Sequence, residues 1–400
     1  MKKRIFISAH YMEIGGAEIS LIGLLQAIDY SKYDVDLFLN RHSGELMQFI
    51  PKEVNLLPEI KAYSDVEKPL IPVLFSSSWR IGLVRLWSKY KTWKYCRTHQ
   101  DISDSVNIYF SYFERKSTKY LPSLVQYGEY DLAANFIGNG DIVRHKVQAR
   151  KKASWIHTDY SSIKITKSER ETIGQGIDYI VSISTASTDA YIKVFPEARD
   201  KMVDIENILS PKFVRQRSDL ERIILKKSDD EVVLLSVGRF CEAKNYDNLP
   251  VILKGIRERG INAKWYIIGF GGDEALIRQR ISEAGMENHV IILGKKSNPY
   301  PYIKACDWYV QPSRYEGKSV TVREAQMLCK PVIITNYVTA KSQVTDGVDG
   351  VIVPMDNEGC AEAMAKVLTD QKLHQSISQY LQAHDYGNED EIEKFYKLID

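Results

Sequence analysis

The sequence WYVQPSRYEGKSVTVRE, residues 308–324, joins an apolar run to two glutamates eight positions apart. Trp308–Val310 is predicted to be a buried strand, and a helix is predicted around Val322–Leu328. The N–H groups at the start of such a helix carry partial positive charge and favour an anion or sugar oxygens. Glu316 then lies in the turn, and Glu324 lies about two helical turns further on. The stretch therefore predicts a site where one carboxylate contacts a sugar and the other a ribose.

The same stretch has two other interpretations. A surface loop followed by a helix with solvated glutamates is the simpler one. Gly317-Lys318-Ser319 also copies the end of a P-loop, but that motif needs a glycine five residues before Gly317, where Pro312 stands. Proline has a fixed φ and no N–H to offer a phosphate. The P-loop interpretation therefore fails.

The rest of the chain alternates short apolar runs with stretches of helical period, in two series. This alternation predicts parallel strands covered by helices on both faces. The charged stretch Pro211–Asp230 separates the two series. We therefore predict an α/β chain of two doubly wound, Rossmann-like domains, residues 1–209 and 210–385, facing across a cleft. Ligands of such sheets bind beyond the carboxyl ends of the strands.

Composition excludes several classes of protein. The 400 residues carry a formal net charge of +2, which gives no reason to expect nucleic acid as a partner. The five cysteines are scattered and lack C-x-x-C spacing, which indicates reduced thiols in a cytoplasmic protein. The sequence has no metal-ligand cluster and no run of about twenty apolar residues. The short apolar run Ile5–Ala9 predicts a first buried strand and not a signal peptide.

The segment 64–119 interrupts the alternation of strands and helices. Six of its residues fall on one side of a predicted helix and are called the aromatic stripe: Trp79, Leu83, Leu86, Trp87, Tyr90 and Trp93. Basic residues flank this stripe between 79 and 97. A basic amphipathic helix rich in tryptophan is typical of proteins that lie on an anionic membrane. The alternative is a helix packed on its own domain, with its lysines and arginines extending to water.

A glycine and two cations follow the predicted strand Glu231–Val237. Gly238 directly follows the strand, Arg239 comes next, and Lys244 lies five residues beyond the arginine. Two cations at the end of a strand can offset the charge on a leaving diphosphate. Such residues are also common on protein surfaces, so this pattern indicates a diphosphate site only in combination with Glu316 and Glu324.

Two further candidates belong to the first half of the chain. Gly15 and Gly16 join the first predicted strand to the first helix, where paired glycines let a backbone approach a ligand. This turn lacks the G-x-G-x-x-G fingerprint, so a dinucleotide-binding dehydrogenase is not supported. His157 stands at the end of a predicted strand. It is either a ligand contact at the sheet edge or a structural histidine bonded to the backbone.

The pair Glu316 and Glu324 resembles the E-x7-E signature of family 4 retaining glycosyltransferases of the GT-B fold, and the resemblance covers essentially the whole chain. It implies a donor-binding second domain and an acceptor-binding first domain. It also implies that the C-terminal helix, within 386–400, crosses back to the first domain. By the family's pattern, Glu324 would hold the ribose hydroxyls and Glu316 would contact the donor sugar.

The same resemblance implies roles for the other candidates. Arg239 and Lys244 would hold the diphosphate, His157 would reach the sugar, and the Gly15-Gly16 loop would close over the phosphates. Lys318 stands where the family usually has an apolar residue. The resemblance also implies that the substrate contacts four further positions, Gly238, Gly317, Lys318 and Ser319.

The function that this resemblance implies is transfer of a sugar, with retention of configuration, from a nucleoside-diphosphate sugar. A UDP-sugar is the favoured donor. The acceptor would be a glycan or lipid-linked glycan in cell-surface polysaccharide synthesis, such as capsule, at the cytoplasmic face of the membrane. Neither a metal nor a cofactor is expected. The alternatives are a sugar-nucleotide epimerase or a phosphorylase on the same architecture, and a non-catalytic partner subunit.

Overall fold

The structure is a computed structural model that describes residues 2–99, 105–138, 140–157, 160, 174–225, 228 and 230–400. The chain divides into two compact units. Unit 1 comprises Met1–Ile208 together with Asn388–Asp400, and unit 2 comprises Leu209–Gly387. The domain boundaries predicted from the sequence, 209/210 and 385/386, lie within two residues of these observed divisions. The predicted segment 64–119 belongs to unit 1, and its residues 100–104 lie outside the described residues.

Unit 1 is built on a parallel sheet of seven strands in the order β3-β2-β1-β4-β5-β6-β7. Several central strands of this sheet end in runs of buried residues, because helices cover both faces of a parallel sheet. In the first strand, for example, the residues from Ile5 onward are all buried. The strands are β1 Lys3–Ala9, β2 Tyr33–Leu39, β3 Asn55–Leu56, β4 Glu129–Asn135, β5 Gln148–Ile156, β6 Tyr179–Ser182 and β7 Met202–Asp204.

Several helices of unit 1 form the predicted insertion beside the sheet. The α-helices described in this unit are Gly16–Ala27, Lys61–Glu67, Leu70–Leu74, Trp79–His99, Ser105–Ser117, Asp141–Lys146, Thr185–Val194 and Ile392–Tyr396. Short 3-10 helices span Glu45–Phe49, Thr118–Tyr120, Val125–Tyr127, Pro196–Lys201 and Glu389–Glu391.

The C-terminal segment belongs to unit 1 and is held there by aromatic contacts. Phe395 packs against Trp155 with ring centroids 5.9 Å apart. Tyr396 stacks on Tyr33 at 4.6 Å, and its hydroxyl accepts a hydrogen bond from the Asp29 N–H at 2.7 Å. These contacts explain why the chain returns to unit 1 after completing unit 2.

Unit 2 has a six-stranded parallel sheet in the order β10-β9-β8-β11-β12-β13. Its strands are β8 Val232–Val237, β9 Ala263–Ile268, β10 Val290–Gly294, β11 Trp308–Gln311, β12 Val332–Thr335 and β13 Val351–Val353. Its described α-helices are Pro211–Ser218, Leu249–Glu258, Glu274–Ala284, Tyr300–Ala305, Val320–Met327, Asn357–Thr369 and Gln371–Ala383, with 3-10 turns at Glu242–Lys244 and Ala340–Ser342.

Each sheet reverses its strand order at one point, next to its first strand. In unit 1 this topological switch point lies between β1 and β4, and in unit 2 it lies between β8 and β11. Open α/β sheets bind ligands outside the carboxyl ends of their strands at such a point. The prediction of two doubly wound α/β domains is confirmed, and each domain has one expected ligand position.

Candidate active site

The switch point of unit 2 brings together two residues predicted from distant parts of the sequence. Lys244 follows β8 and Glu316 follows β11, and Lys244 Nζ lies 2.6 Å from Glu316 Oε1. Both side chains are mostly buried, with 18% and 13% of their surface exposed. A close, partly desolvated ion pair at the carboxyl edge of the sheet is therefore the centre of the candidate site.

Glu316 is held in place by two further donors at the end of β11. The Ser313 hydroxyl donates to Glu316 Oε1 at 2.6 Å, and Gln311 Nε2 donates to the same oxygen at 3.2 Å. The Gln311 amide is oriented in turn by the Tyr309 hydroxyl, which donates to its Oε1 at 2.7 Å. These bonds fix the Glu316 carboxylate on a rigid strand end, as a binding site requires.

The turn carrying Lys244 depends on two permissive backbone positions. Asn245 ends the 3-10 turn with φ +61°, a left-handed conformation that asparagine tolerates better than most residues. Gly238 lies under the same turn. A Cβ on Gly238 would come within 2.8 Å of the Tyr246 hydroxyl and 3.2 Å of Lys244 Cε. Glycine at 238 therefore allows Lys244 to lie across the end of β8.

Arg239 directly follows Gly238, five residues before Lys244, and it is exposed. Its guanidinium has no hydrogen-bond or ion-pair partner among the described residues. Arg314, by contrast, is locked in a two-pronged bond to Asp247, with N···O distances of 2.9 and 2.7 Å. An arginine without an internal partner keeps its donors available for an anion such as a diphosphate.

Glu324 lies in the helix Val320–Met327 with only 1% of its surface exposed. The Tyr300 hydroxyl donates to its Oε1 at 2.6 Å. Burial raises the pKa of this carboxyl to about 7, and the Tyr300 hydrogen bond and the charge of Arg217 lower it by less. The ribose contact predicted for Glu324 stays a prediction.

The start of the helix Val320–Met327 differs from the open N-terminus that the sequence suggested. The Ser319 N–H donates to Gln343 Oε1 at 3.1 Å, and the Gln343 amide donates back to the Ser319 carbonyl. Ser319 is therefore engaged by its own unit. Gly317 is exposed and Lys318 is half-buried in the loop before it. A ligand contact at these three positions stays a prediction.

The predicted residues of unit 1 lie at the carboxyl edge of its own sheet. His157 follows β5, and its Nε2 is 2.9 Å from the Phe136 carbonyl oxygen. Burial lowers the pKa of His157 to about 4, so the ring is neutral, its Nε2–H donates to Phe136, and Nδ1 is an acceptor. Gly15 caps the first helix and Gly16 is exposed at its start.

Sequence reasoning missed the residues that hold the predicted ones. Gln311 and Ser313 directly follow the predicted strand β11, so their polar side chains at a strand end were a usable signal. Tyr300 lies 24 positions before Glu324. No local pattern links these two residues, because their contact depends on how two helices pack.

Metal-binding clusters and membrane spans are both absent from the part of the chain that the structure describes. These residues contain no group of three or more histidine, cysteine or acidic side chains placed to hold a metal ion. They also contain no helix of the length and apolarity that a membrane span needs.

Residues 218–384 match the family model described as glycosyl transferases group 1. The match lies within unit 2 and covers less than half of the chain. One relative is the Campylobacter jejuni N-acetylgalactosamine-N,N'-diacetylbacillosaminyl-diphospho-undecaprenol 4-alpha-N-acetylgalactosaminyltransferase, 27% identical over 194 residues, which are 46% of this chain and 52% of the relative. Another is the Staphylococcus aureus capsular polysaccharide biosynthesis glycosyltransferase CapM, 30% identical over 168 residues, which are 42% and 44% of the two chains. The chain thus spans about half the length of these curated relatives.

The fold is shared with a solved glycosyltransferase structure. A variant of S. aureus TarM in complex with fondaparinux, alpha-GlcNAc-glycerol and UDP matches with a TM-score of 0.67 at 12% identity, over 100% of both chains. At this identity the likeness establishes the fold, and the predicted GT-B fold is confirmed. The narrower assignment to family 4 stays a prediction.

Proposed function

We propose that the protein transfers a sugar from a UDP-sugar to a glycan or lipid-linked glycan in cell-surface polysaccharide synthesis, with retention of configuration and without a metal. The observation that carries this proposal is the Lys244–Glu316 pair at the switch point of unit 2. It places a cation and a carboxylate where a nucleotide sugar is expected to bind. The names of the matched relatives support the acceptor class, and the UDP in the TarM complex supports the nucleotide.

Each side chain has a separate task in this proposal. Arg239 and Lys244 offset the negative charge that develops on the leaving diphosphate, which is the largest electrostatic change in the reaction. Glu316 accepts hydrogen bonds from hydroxyls of the donor sugar, and Glu324 binds the ribose. His157 offers its neutral Nδ1 to the sugar. No residue is assigned as a covalent nucleophile, and retention follows from the family resemblance.

Product analysis tests this proposal against its rivals. The protein is incubated in EDTA with UDP-sugars and a panel of glycans, and the products are examined by NMR for the linkage and its anomeric configuration. An acceptor-linked sugar of retained configuration is expected. A changed donor sugar without transfer would indicate an epimerase, and glycan breakdown that needs phosphate would indicate a phosphorylase.

The matched variants separate catalysis from general damage. Lys244→Ala is expected to lose turnover, whereas Lys254→Ala, an exposed lysine on the helix Leu249–Glu258, is expected to keep it. No turnover with any donor by the unaltered protein would contradict the proposal. It would favour the non-catalytic partner subunit.

The proposal includes peripheral binding to an anionic membrane through the helix Trp79–His99. This helix buries Ile81 and Val84 and leaves the aromatic stripe outside, with Trp87 39% and Trp93 55% exposed. It has six lysines and arginines and no acidic residue. Lys91 Nζ lies 5.7 Å from the ring centroid of Trp87. Exposed tryptophans interleaved with cations suit the headgroup region of a membrane.

Liposome flotation tests this membrane surface. The unaltered protein is expected to float with vesicles that contain anionic lipid and to sediment with neutral ones. Trp87→Glu/Trp93→Glu is expected to abolish flotation. A control, Val251→Glu/Leu276→Glu, places the same charges on exposed apolar positions of unit 2 and is expected to behave like the unaltered protein. Equal flotation of all three proteins would contradict the membrane surface.

A further inference from the structure

The switch point of unit 1 contains a polar cluster that the proposed function has not used. His10 directly follows β1, Asn40 directly follows β2, and Gly138 comes just after β4. Glu67 joins them from the end of the helix Lys61–Glu67. Because β1 and β4 flank the switch point, His10 and Gly138 face each other at the expected ligand position of this sheet.

The hydrogen bonds of the cluster define which ring nitrogen of His10 is occupied. His10 Nδ1 lies 2.7 Å from Glu67 Oε1. Asn40 Nδ2 lies 3.1 Å from His10 Nδ1 and donates to the same carboxylate oxygen at 3.3 Å. A carboxylate accepts and does not donate, so the His10 Nδ1 carries the proton in this pair. This leaves Nε2 as the nitrogen for other partners.

The backbone around the cluster is fixed by bonds between two loops. The Asn40 N–H donates to the Ala9 carbonyl at 3.1 Å, and the Arg41 N–H donates to the His10 carbonyl at 3.0 Å. Opposite them, Asn135 Nδ2 donates to the Gly138 carbonyl at 3.0 Å. His10 is therefore held on a rigid frame and not on a free loop.

Glycine at 138 keeps the second ring nitrogen of His10 uncovered. A Cβ on Gly138 would lie 2.2 Å from His10 Nε2, and φ at this position is +103°, which also favours glycine. His10 Nε2 has no hydrogen-bond partner among the described residues. The side chain is 23% exposed, so a ligand can reach it. His157 differs, because its Nε2 is bonded to the Phe136 carbonyl.

We propose that His10, held by Glu67, binds a hydroxyl oxygen of the glycan acceptor through Nε2–H. The inference rests on the proposed function, because it names the unit 1 residue that recognises the acceptor. The imidazolium form, with Nδ1–H held by a carboxylate and Nε2–H pointing outward, is a fixed donor. Such a donor can form a hydrogen bond to the oxygen of a sugar hydroxyl. Glu67 and Asn40 position His10 and do not contact the acceptor.

The charges around His10 favour its donor form. Burial disfavours the imidazolium, but the hydrogen bond and charge of Glu67, with Glu114 and Glu18, raise the pKa of His10 above its ordinary value. Arg85 and Tyr11 face Glu67 from their own elements. A raised pKa means that the imidazolium persists to higher pH. Acceptor binding should therefore weaken as pH rises through the raised value.

Steady-state kinetics with p-nitrophenyl glycosides as acceptors test the inference. His10→Gln is expected to raise the acceptor KM by about 10-fold to 100-fold, the value of one hydrogen bond from a charged donor. UDP binding measured by calorimetry should not change. The acceptor KM of the unaltered protein should rise with pH, and that of His10→Gln should not. An unchanged KM in the variant would overturn the inference.

Two further variants separate binding from folding. His10→Gln/Glu67→Gln keeps a neutral hydrogen-bonding pair, and Gly138→Ala covers Nε2 without removing a charge. Each is first checked by circular dichroism. If the unaltered protein transfers no sugar, the proposed function fails, and saturation-transfer NMR with the same glycosides decides the inference. A saturation-transfer signal from the glycoside that is seen with the unaltered protein and disappears in both variants would support it. No signal with the unaltered protein, or an equal signal with all three proteins, would overturn it.

Discussion

The buried carboxyl of Glu324 makes the stability of unit 2 depend on pH. Burial raises the pKa of Glu324 from 4.5 to about 7. Glu324→Gln keeps the size of the side chain and the oxygen that accepts from the Tyr300 hydroxyl, but it removes the ionisable group. The variant is therefore a neutral reference against which the titration of Glu324 can be measured.

The sign of the effect depends on which state binds more protons. Between pH 4.5 and about 7 the carboxyl is ionised in the unfolded chain and protonated in the folded one. Raising the pH in this window therefore stabilises the unfolded chain. In the middle of this window each pH unit is worth about 1.4 kcal/mol, and the effect is smaller near either pKa. The free energy of unfolding should therefore fall by about 2 kcal/mol between about pH 5 and 7, relative to Glu324→Gln. Above about pH 8 the carboxyl is ionised in both states, so the difference in free energy of unfolding between the two proteins should stay constant.

Urea unfolding followed by pulsed hydrogen exchange and mass spectrometry measures this difference in unit 2 alone. Peptides from β8 and β11 report the unfolding of this sheet, and both proteins are measured from about pH 5 to 8. Other titrating groups cancel when the two proteins are compared at each pH. Parallel curves for the two proteins would refute the reasoning, because Glu324 would then have the same pKa in both states.

Three other predictions concern single side chains. Lys244→Ala should lower turnover by about 100-fold to 1,000-fold if Lys244 stabilises charge in the transition state, and near-normal turnover would contradict this role. His157, whose pKa burial lowers to about 4, should stay neutral between about pH 5.5 and 8. A ring NMR signal that titrates near pH 6.5 would disprove this. Tyr396→Phe removes the acceptor for the Asp29 N–H and should destabilise unit 1 by about 1 kcal/mol, as measured by urea unfolding; the same midpoint as the unaltered protein would show that this bond contributes nothing.

The strands of the two sheets were predictable because most are continuous apolar runs. The strand predicted at Trp308–Val310 matches β11, and the strand predicted at Ile5–Ala9 matches β1. The last strand of unit 1, β7, ends at Asp204. Beyond it, the Glu206 N–H donates to Glu391 and the Asn207 carbonyl accepts from Asn388, so the C-terminal segment replaces the sheet as partner.

The stretch Pro211–Asp230 is more than the charged separator that the sequence suggested, because it begins with a helix, Pro211–Ser218. The signal was present, because Ser210 caps this helix and Pro211 occupies its first turn. The charged residues that follow the helix made the whole stretch resemble a linker, so the helix was not predicted.

The candidate site was predictable in part. A local pattern predicted that Glu316 follows a strand. The strand order of the sheet then explains why Glu316 lies next to Lys244. The burial of Glu324 and the bond to Tyr300 were not predictable, since they depend on packing between helices. The His10–Glu67 pair was missed for the same reason, because it joins a strand end to a helix of the insertion.

The most direct test of the central claim is calorimetry of UDP binding in EDTA. The unaltered protein is compared with Arg239→Ala and with Arg280→Ala, a control that removes an exposed arginine bonded to Glu283 on a surface helix of unit 2. We predict binding without metal, equal affinity in the control, and affinity about 10-fold to 100-fold lower in Arg239→Ala. No binding of UDP by the unaltered protein, or equal affinity in all three, would contradict the claim that unit 2 holds the nucleotide at this strand end.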